Sequence, residues 1–342
     1  MALIDVCNGD ADGLFAMVQL RLADPGESQL VTGRKHEISL LERVRAARAD
    51  QITVCDISID RNAEALSRLL ALGATVRYFD HHSAHRRFEH PGLTAWIDTD
   101  PAICTSLIVD RYLGGRFSAW AAAAAWGDNL AASAQTLAVR EGFDRETCEA
   151  LKTLGESVNY NAYGDHDDDC LIAPAELYRL LVRHPDPLDA MAAEPVLRAL
   201  EHRRRDDLAL ALAQPPWRED ATSRIWVLPD AAWSRRVIGP FANLTAVEDP
   251  TRAHAVARVR ADGALDISVR APIARRRGAD RLCAAFGGGG RAAAAAIEAL
   301  PPGRLEAFAY ALAAFRWGEA DALVPGTGSP PAPAGSASTK PV

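Results

Sequence analysis

In residues 1–140, short apolar runs alternate with longer segments, and this alternation restricts the fold more than any other feature. The apolar runs are Leu3–Cys7, Ile52–Cys55, Val76–Phe79 and Thr94–Ile97, and helices are predicted from about Gly13 and over Asn62–Leu72, Thr105–Leu113 and Trp120–Ala138. Strands separated by helices pair in parallel, because each crossover returns the chain to the same end of the sheet. The pattern therefore predicts an α/β fold with a doubly wound, mostly parallel sheet.

Composition divides the chain into four segments. Residues 1–140 form a first domain, and residues 141–214 form a helical connector. Residues 215–318 form a smaller α/β domain with a glycine run and a closing helix from about Arg304. Residues 319–342 are rich in Pro, Ala, Gly and Ser, which bury too little apolar surface to offset the entropy of folding. This tail is therefore predicted to be disordered.

The composition is typical of a globular protein. With 342 residues, 49% of them hydrophobic, the chain is long enough for two domains with cores. No uncharged apolar stretch reaches the roughly 18 residues that a membrane crossing needs, and Met1–Gly9 lacks the regions of a signal peptide. The six cysteines show no C-x-x-C spacing, so neither a zinc site nor a disulfide framework is expected. These features predict a cytoplasmic protein with reduced thiols and no membrane partner.

Charge is distributed unevenly along the chain. Residues 1–214 carry 22 Lys and Arg against 33 Asp and Glu, a net charge of −11, whereas residues 215–318 carry 15 against 10, a net charge of +5. An acidic region suits cations, and a basic region suits phosphates. The overall charge of −7 argues against a nonspecific coat for long nucleic acids.

Acidic residues and histidines follow the predicted strands at the points where those strands end. They are Asp10 and Asp12 after the first run, Asp56 after the second, and Asp80, His81 and His82 after the third. The carboxyl ends of parallel strands meet at one edge of a sheet, where ligands bind. Carboxylates crowded there repel one another unless cations neutralise them. Oxygen and imidazole ligands without thiolate predict two divalent cations, Mn²⁺ by preference with Mg²⁺ left open.

Four motifs carry a resemblance to a known family. They are Asn8-Gly-Asp-Ala-Asp-Gly13, Asp56, Asp80-His-His82 and Trp126-Gly-Asp-Asn129. In order and spacing they resemble the motifs of the DHH phosphoesterases, which include RecJ-type exonucleases, oligoribonucleases, cyclic dinucleotide phosphodiesterases and family II inorganic pyrophosphatases. The resemblance implies that His82 faces the phosphate, that Asp80 supports the loop and that Asp56 bridges two metals. The implied metal ligands are Asp10, Asp12, Asp56, His81 and Asp128.

The sequence departs from this family pattern just upstream of Asp10. Family members commonly carry a further His or Asp ligand there, whereas this chain has Val6 and Asn8. Asn8 offers a carbonyl oxygen but no charge. The first cation is therefore expected to be held more weakly or to keep more water.

Other acidic and polar residues are assigned to structure. The residues expected to be structural are Asp5, Asp60 and Asp100 as packing or capping residues, and Cys7 and Cys55 as buried thiols. Gly164–Asp169 is acidic but lacks regular ligand spacing, so a solvated loop is favoured there over a metal site. Asn159–Gly164 stays open between the wall of a substrate cleft and a turn with packed tyrosines.

The glycine run Phe286–Arg291 precedes five alanines, Ala292–Ala296. The alanines predict a helix, and the backbone N–H groups at a helix N-terminus bind anions. Arg291 in the first turn would oppose the helix dipole unless a phosphate were bound. Many members of the DHH family also carry a DHHA1 domain, in which a glycine-rich loop ends in a histidine. The resemblance implies that Arg291 stands at the position of that histidine. The expected substrate-binding residues are His82, Arg270, Gly288, Gly289, Gly290 and Arg291.

These features together predict a metal-dependent hydrolase that acts on a phosphodiester or phosphomonoester of a short nucleotide. The candidates are a short oligonucleotide, a cyclic dinucleotide and a 3′-phosphorylated nucleotide. A RecJ-type exonuclease is the enzymatic alternative, but long single strands need stacking aromatics and only 6% of the residues are aromatic. A catalytically silent nucleotide sensor is the alternative from another class. No long nucleic-acid partner is expected, and a homodimer is left open.

Overall fold

The computed structural model describes residues 1–319, which form two compact units. The first unit is Met1–Asp207, and the second begins at Leu208. The tail predicted over 319–342 lies, from residue 320 onward, outside the described residues. Among residues 1–319, no helix combines the length and the apolar character that a membrane span requires.

The first unit contains a parallel sheet with strand order β2-β1-β3-β4-β5, which confirms the predicted α/β class. The strands are β1 (Leu3–Asn8), β2 (Gln29–Gly33), β3 (Gln51–Cys55), β4 (Thr75–Asp80) and β5 (Leu93–Ile97). The helices are α1 (Ala11–Ala23), α2 (Ala63–Ala71), α3 (Thr105–Tyr112), α4 (Ser118–Gly127), α5 (Ala131–Glu141), α6 (Arg145–Asn161), α7 (Pro174–Leu181), α8 (Pro187–Ala193) and α9 (Pro195–Leu212), whose residues from Leu208 onward belong to the second unit.

Alternate residues of these strands enter two different cores. Cys7, Cys55 and Phe79 pack with α1, α3 and α4 on one face, whereas Val6 and Val54 pack with α2 on the other. The strand order reverses between β1 and β3, and ligands of doubly wound sheets bind outside the carboxyl ends at such a reversal. The fold thus places a ligand site at the ends of the two strands that carry Asp-rich motifs.

Two local predictions for the first unit differ from the structure. The helix predicted over Trp120–Ala138 is two helices, because the chain turns at Asn129, which has a φ of 61°. Asp100 does not cap a helix, since α3 begins at Thr105. Its carboxylate instead closes a turn by accepting a hydrogen bond from the Ala102 backbone N–H at 2.8 Å.

The second unit contains a mixed sheet with strand order β10-β11-β9-β8-β7-β6, in which β7 and β8 are parallel and the other pairs are antiparallel. Its strands are β6 (Arg218–Glu219), β7 (Ser223–Leu228), β8 (Ala253–Val259), β9 (Leu265–Arg270), β10 (Gly289–Gly290) and β11 (Ala294–Leu300). Its helices are α10 (Ala232–Glu248), α11 (Ala279–Ala284) and α12 (Leu305–Ala314), the last of which matches the predicted closing helix.

The prediction of a helix over Ala292–Ala296 is wrong, because the residues from Ala294 onward form strand β11. It pairs antiparallel with β9, and Ala295, Ile297 and Leu300 are buried in the core of the second unit. Alanine has the highest intrinsic helix propensity, but that preference is worth less than burial and pairing with a distant strand.

Asp5, predicted to be structural, is buried and ion-paired with Arg21, whose Nη2 lies 2.7 Å from Asp5 Oδ1. Replacing Arg21 with Met leaves a buried carboxylate without its cation, which should lower the free energy of unfolding by about 3–5 kcal/mol. The control is Arg111→Met, which removes an exposed pair with Asp98 and should cost less than about 1 kcal/mol. Urea unfolding measures both, and equal losses would contradict a structural role for the buried pair.

Candidate metal centre

The carboxyl ends of β1, β3 and β4 bring the acidic motifs together at one edge of the sheet. Asp10 is the N-cap of α1, where its Oδ1 accepts a hydrogen bond from the Gly13 backbone N–H at 3.1 Å. Asp12 lies in the first turn of the same helix, and Asp56 directly follows β3. All three side chains are buried.

Asp56 occupies a backbone conformation that few residues other than glycine adopt. Its φ is 60°, and its backbone N–H donates to the Phe79 carbonyl on the neighbouring strand at 3.0 Å. Asp is among the residues that tolerate this left-handed region. Strained backbone of this kind concentrates at functional sites, where the surrounding structure holds it in place.

Asp128 reaches the same edge from the C-terminal end of α4. A Cβ atom added at Gly127 would lie 2.7 Å from Ala11 Cβ and 2.8 Å from the Gly155 carbonyl oxygen, so only glycine permits this close approach. Ala11 separates Asp10 from Asp12 on α1. The glycine in the Trp-Gly-Asp-Asn motif therefore holds Asp128 against the helix that carries the first motif.

His81 presents one ring nitrogen to three carboxylates. Its Nδ1 lies 2.7 Å from the Ile103 carbonyl oxygen, which can only accept a hydrogen bond. Nδ1 must therefore carry the hydrogen in the neutral ring, which leaves a lone pair on Nε2. The oxygens that face Nε2 are Asp56 Oδ1 at 3.4 Å, Asp12 Oδ2 at 3.8 Å and Asp128 Oδ2 at 4.0 Å.

These donor atoms form two groups whose members all lie within 4.8 Å of one another: Asp12, His81 and Asp128, and Asp56, His81 and His82. Carboxylate and imidazole donors around a common centre fit a hard divalent cation, because metal–oxygen and metal–nitrogen bonds of about 2 Å bring ligand atoms into this range. The structure thus brings together five predicted residues, and the chemistry of the donor set fits a metal.

The charges of the cluster are unbalanced without a cation. Burial raises the pKa of the Asp56 carboxyl well above its usual range, and the negative charges of Asp12 and Asp10 add to this effect. Burial lowers the pKa of His81, but the hydrogen bond to Asp56 and the charges of Asp128 and Asp12 outweigh it and raise the pKa to about 10. The carboxylates therefore favour any positive charge placed among them.

Asp80 orients the two histidines. Its Oδ1 accepts from the backbone N–H of His81 at 2.9 Å and of His82 at 3.2 Å, and it lies 2.7 Å from His82 Nδ1. The side chain of His82 is 34% exposed, whereas Asp80 is fully buried. Asp80 thus supports the loop, as predicted, and engages Nδ1 of His82, while the role of His82 toward a phosphate stays a prediction.

Asp10 differs from the other predicted ligands. Its Oδ2 forms an ion pair with the Lys35 ammonium, and among the described residues it belongs to neither donor group. Burial raises the pKa of Asp10, but the charge and hydrogen bond of Lys35 more than reverse that rise and lower it. Four of the five predicted metal ligands therefore belong to the donor groups, whereas the fifth, Asp10, is paired with Lys35.

Sequence reasoning missed three residues of this site, Lys35, Thr105 and Ser106, and left the role of a fourth, Asn159, open. Asp12 accepts from the backbone N–H groups of Thr105 and Ser106, both at 2.7 Å, at the start of α3, and Thr105 Oγ1 donates to Asp56 Oδ1 at 3.1 Å. Lys35 Nζ donates to Asn159 Oδ1 at 3.0 Å. Lys35 could have been found only by recognising β2, because it follows that strand at the same edge.

No protein-family model and no curated protein matches this sequence. Solved structures are similar to it. Manganese-bound exonuclease RecJ shares 20% identity over 92% of this chain and 89% of its own, with a TM-score of 0.55. The pGpG-specific phosphodiesterase PggH from Vibrio cholerae shares 15% identity over 91% of this chain and 97% of its own, with a TM-score of 0.53.

RecJ from Thermus thermophilus in complex with Mn²⁺ shares 18% identity over 90% of this chain but only 51% of its own, with a TM-score of 0.57. These similarities extend over both units. The chain has the DHH/DHHA1 fold. The metal-centre residues belong to its DHH unit, Met1–Asp207.

The structure of the DHHA1 unit, which begins at Leu208, contradicts the prediction that the glycine run opens a helix. Gly289–Gly290 is a strand, and Arg291 is exposed in the hairpin turn that leads into β11, so no helix N-terminus cradles an anion there. A Cβ atom at Gly288 would lie 2.1 Å from the Ala296 carbonyl oxygen, which gives that glycine a packing role. Arg270 Nε donates to Asn243 Oδ1 at 2.6 Å inside the same unit.

The acidic segment Gly164–Asp169 forms a loop. The Asp169 carboxylate accepts from the backbone N–H of Asp165 at 2.9 Å and of His166 at 3.1 Å, and Asp167 is exposed. Among the residues that the structure describes, this segment contributes no member to a metal-binding group. The segment is a loop with a short 3₁₀ turn at Asp167–Asp169, in which Asp169 is buried.

Proposed function

We propose that this protein is a metal-dependent phosphoesterase that hydrolyses a phosphate ester of a short nucleotide. The observation that carries the proposal is the ring nitrogen of His81, which faces the buried carboxylates of Asp12 and Asp56 and the partly buried carboxylate of Asp128 at 3.4–4.0 Å. This donor set matches Mn²⁺ or Mg²⁺, and the similar RecJ structure is bound to manganese. The fold of the DHH unit places the group where doubly wound sheets bind ligands.

The side chains around the centre have separable roles in this proposal. A bound divalent cation would lower the pKa of a water molecule and neutralise charge on a phosphate oxygen. Asp12 is fixed by the first N–H groups of α3, and His81 is fixed in one tautomer by Ile103. His82, held through Nδ1 by Asp80, points its other nitrogen to the phosphate and stabilises the charge that develops there.

A short nucleotide is the substrate class that the observations favour. The similar phosphodiesterase PggH is described as specific for pGpG, and this chain covers 97% of its length. The net charge of −7 and the low aromatic content disfavour a long single strand. The similarity to RecJ keeps a single-strand exonuclease as the second candidate.

A substrate panel tests the proposal. The full-length protein with added Mn²⁺ is incubated with pGpG, a cyclic dinucleotide, adenosine 3′,5′-bisphosphate, pyrophosphate and single strands of increasing length. Hydrolysis that is fastest for the short nucleotides supports the proposal, and rates that increase with strand length support the exonuclease. A protein that binds a nucleotide but cleaves none of these compounds would be a silent sensor.

Arg291 remains our candidate for binding a second phosphate of the substrate, because it is exposed on the hairpin of the DHHA1 unit. Arg291→Ala should lower kcat/KM for a nucleotide about tenfold to a hundredfold, mainly through KM, because a charge-assisted contact is worth about 1.5–3 kcal/mol. Bis-p-nitrophenyl phosphate, which has no second phosphate, should be cleaved equally by both proteins. Arg276→Ala, an exposed arginine of the same unit, is the matched control. Unchanged kinetics on both substrates would leave the hairpin with a structural role alone.

A further inference from the structure

Lys35 lies at the edge of the metal centre and is held there by several contacts. Its ammonium is paired with Asp10 and donates to Asn159 Oδ1 at 3.0 Å. Its backbone N–H donates to the Ala162 carbonyl at 3.0 Å, and its carbonyl accepts from Asn8 Nδ2 at 3.1 Å. Both the backbone and the charged end of this lysine are therefore fixed.

The contact with Asn8 connects Lys35 to the departure from the family motif. Asn8 stands where a charged ligand was expected, and it provides none. Its amide instead holds Lys35, while its Oδ1 accepts from the Asp10 backbone N–H at 3.1 Å. Asn8, Lys35 and Asp10 therefore form one connected set. Asn8 lacks the charge of the expected ligand, and Lys35 adds a positive charge beside Asp10.

The two sides of the acidic cluster differ in their charge balance. Asp10 is neutralised by Lys35 and is also stabilised at the N-terminus of α1 by the Gly13 N–H. A divalent ion at Asp10 would meet the ammonium as a like charge and would have to displace it. The two groups of donor atoms, Asp12 with His81 and Asp128 and Asp56 with His81 and His82, share His81, and neither of them includes Asp10.

We propose that Lys35 takes the place of one of the two cations, so that the centre binds a single divalent ion and the ammonium supplies the second positive charge. An ammonium has three hydrogens. The contacts with Asp10 and Asn159 account for two of them, and Nζ lies over the Tyr163 ring, 5.6 Å from its centroid. In this proposal the third hydrogen is donated to an oxygen of the bound phosphate. This inference rests on the proposed function in taking the His81 side as the cation site.

Manganese content tests this proposal directly. The full-length protein is stripped of metal, equilibrated with Mn²⁺, freed of excess ion and analysed by mass spectrometry for manganese. Wild type should retain about one ion per chain, and Lys35→Met about two, because Asp10 is then free to bind an ion. Lys35→Met combined with Asp10→Asn should return to about one, and Lys35→Arg, which keeps the charge, should stay at about one.

Electron paramagnetic resonance of the wild type gives a second measurement that needs no substitution. Two Mn²⁺ ions about 3.5–4 Å apart couple magnetically, whereas a single ion gives the spectrum of an isolated centre. A coupled spectrum, two ions in the wild type, or one ion in folded Lys35→Met would each overturn the role of Lys35. Retention of no manganese by any variant would refute the proposed metal-dependent function itself, which is a separate result.

Discussion

Asp56→Asn is expected to lower kcat/KM for a nucleotide ester by at least about a hundredfold while the fold is preserved. Oδ1 of Asp56 lies 3.4 Å from His81 Nε2 and 3.9 Å from His82 Nδ1, so this oxygen adjoins both predicted functional histidines. Asparagine removes the charge that a cation needs, and it retains the shape of the side chain. Steady-state kinetics at saturating Mn²⁺ measures the loss.

The fold should tolerate this substitution for two physical reasons. Asparagine also adopts the left-handed backbone region in which Asp56 lies, with its φ of 60°. Its carbonyl oxygen can keep the hydrogen bond that Thr105 Oγ1 donates at 3.1 Å. Because burial and the charge of Asp12 raise the pKa of Asp56, the metal-free variant should melt no lower than the metal-free wild type.

Asp60→Asn is the matched control. Asp60 also follows β3, but its carboxylate accepts from the backbone N–H groups of His85 at 2.7 Å and Arg86 at 3.1 Å in a loop. It belongs to neither donor group among residues 1–319. Its substitution should leave kcat/KM nearly unchanged, and equal losses for the two variants would show that the division between ligand and structural residue is wrong.

The part of the site predicted from sequence is the part carried by strongly apolar strands. Residues such as Val6, Val54 and Phe79 mark β1, β3 and β4, and the residues after those strands therefore fall at one edge. Asp12, Asp56, His81, His82 and Asp128 meet there in the structure. Strand alternation and the parallel register are enough to assemble Asp12, Asp56, His81 and His82, whereas Asp128, at the end of helix α4, was expected only from the family resemblance.

The remainder could not be predicted, because it depends on weak or nonlocal signals. β2, Gln29–Gly33, is an edge strand that is only partly buried, so its apolar signal is short and Lys35 after it was not placed in the site. Asn159 reaches Lys35 from α6, across a sequence separation of 124 residues. The strand at Ala294–Leu300 forms through pairing with β9, against the local preference of its alanines.

Removal of divalent cations is expected to abolish hydrolysis and to lower the melting temperature of the folded protein. Asp12, Asp56 and Asp128 place three carboxylate oxygens within 4.0 Å of one imidazole nitrogen, and repulsion among them destabilises the metal-free state. A ligand that binds only the folded state at a hundred times its Kd stabilises it by about 2.7 kcal/mol. For a unit of this size, that corresponds to a rise in Tm of roughly 5–10 °C.

Differential scanning fluorimetry with excess chelator, and then with Mn²⁺ or Mg²⁺, measures the shift, and activity is assayed in the same samples. The rise in Tm should shrink in Asp56→Asn and persist in Asp60→Asn, because only the first substitution removes a carboxylate that faces His81. That difference separates an ion bound at the centre from weak binding to the acidic surface as a whole. Full turnover in excess chelator would refute metal-dependent chemistry. An equal Tm with and without saturating metal would show that the carboxylates are stabilised by the protein alone.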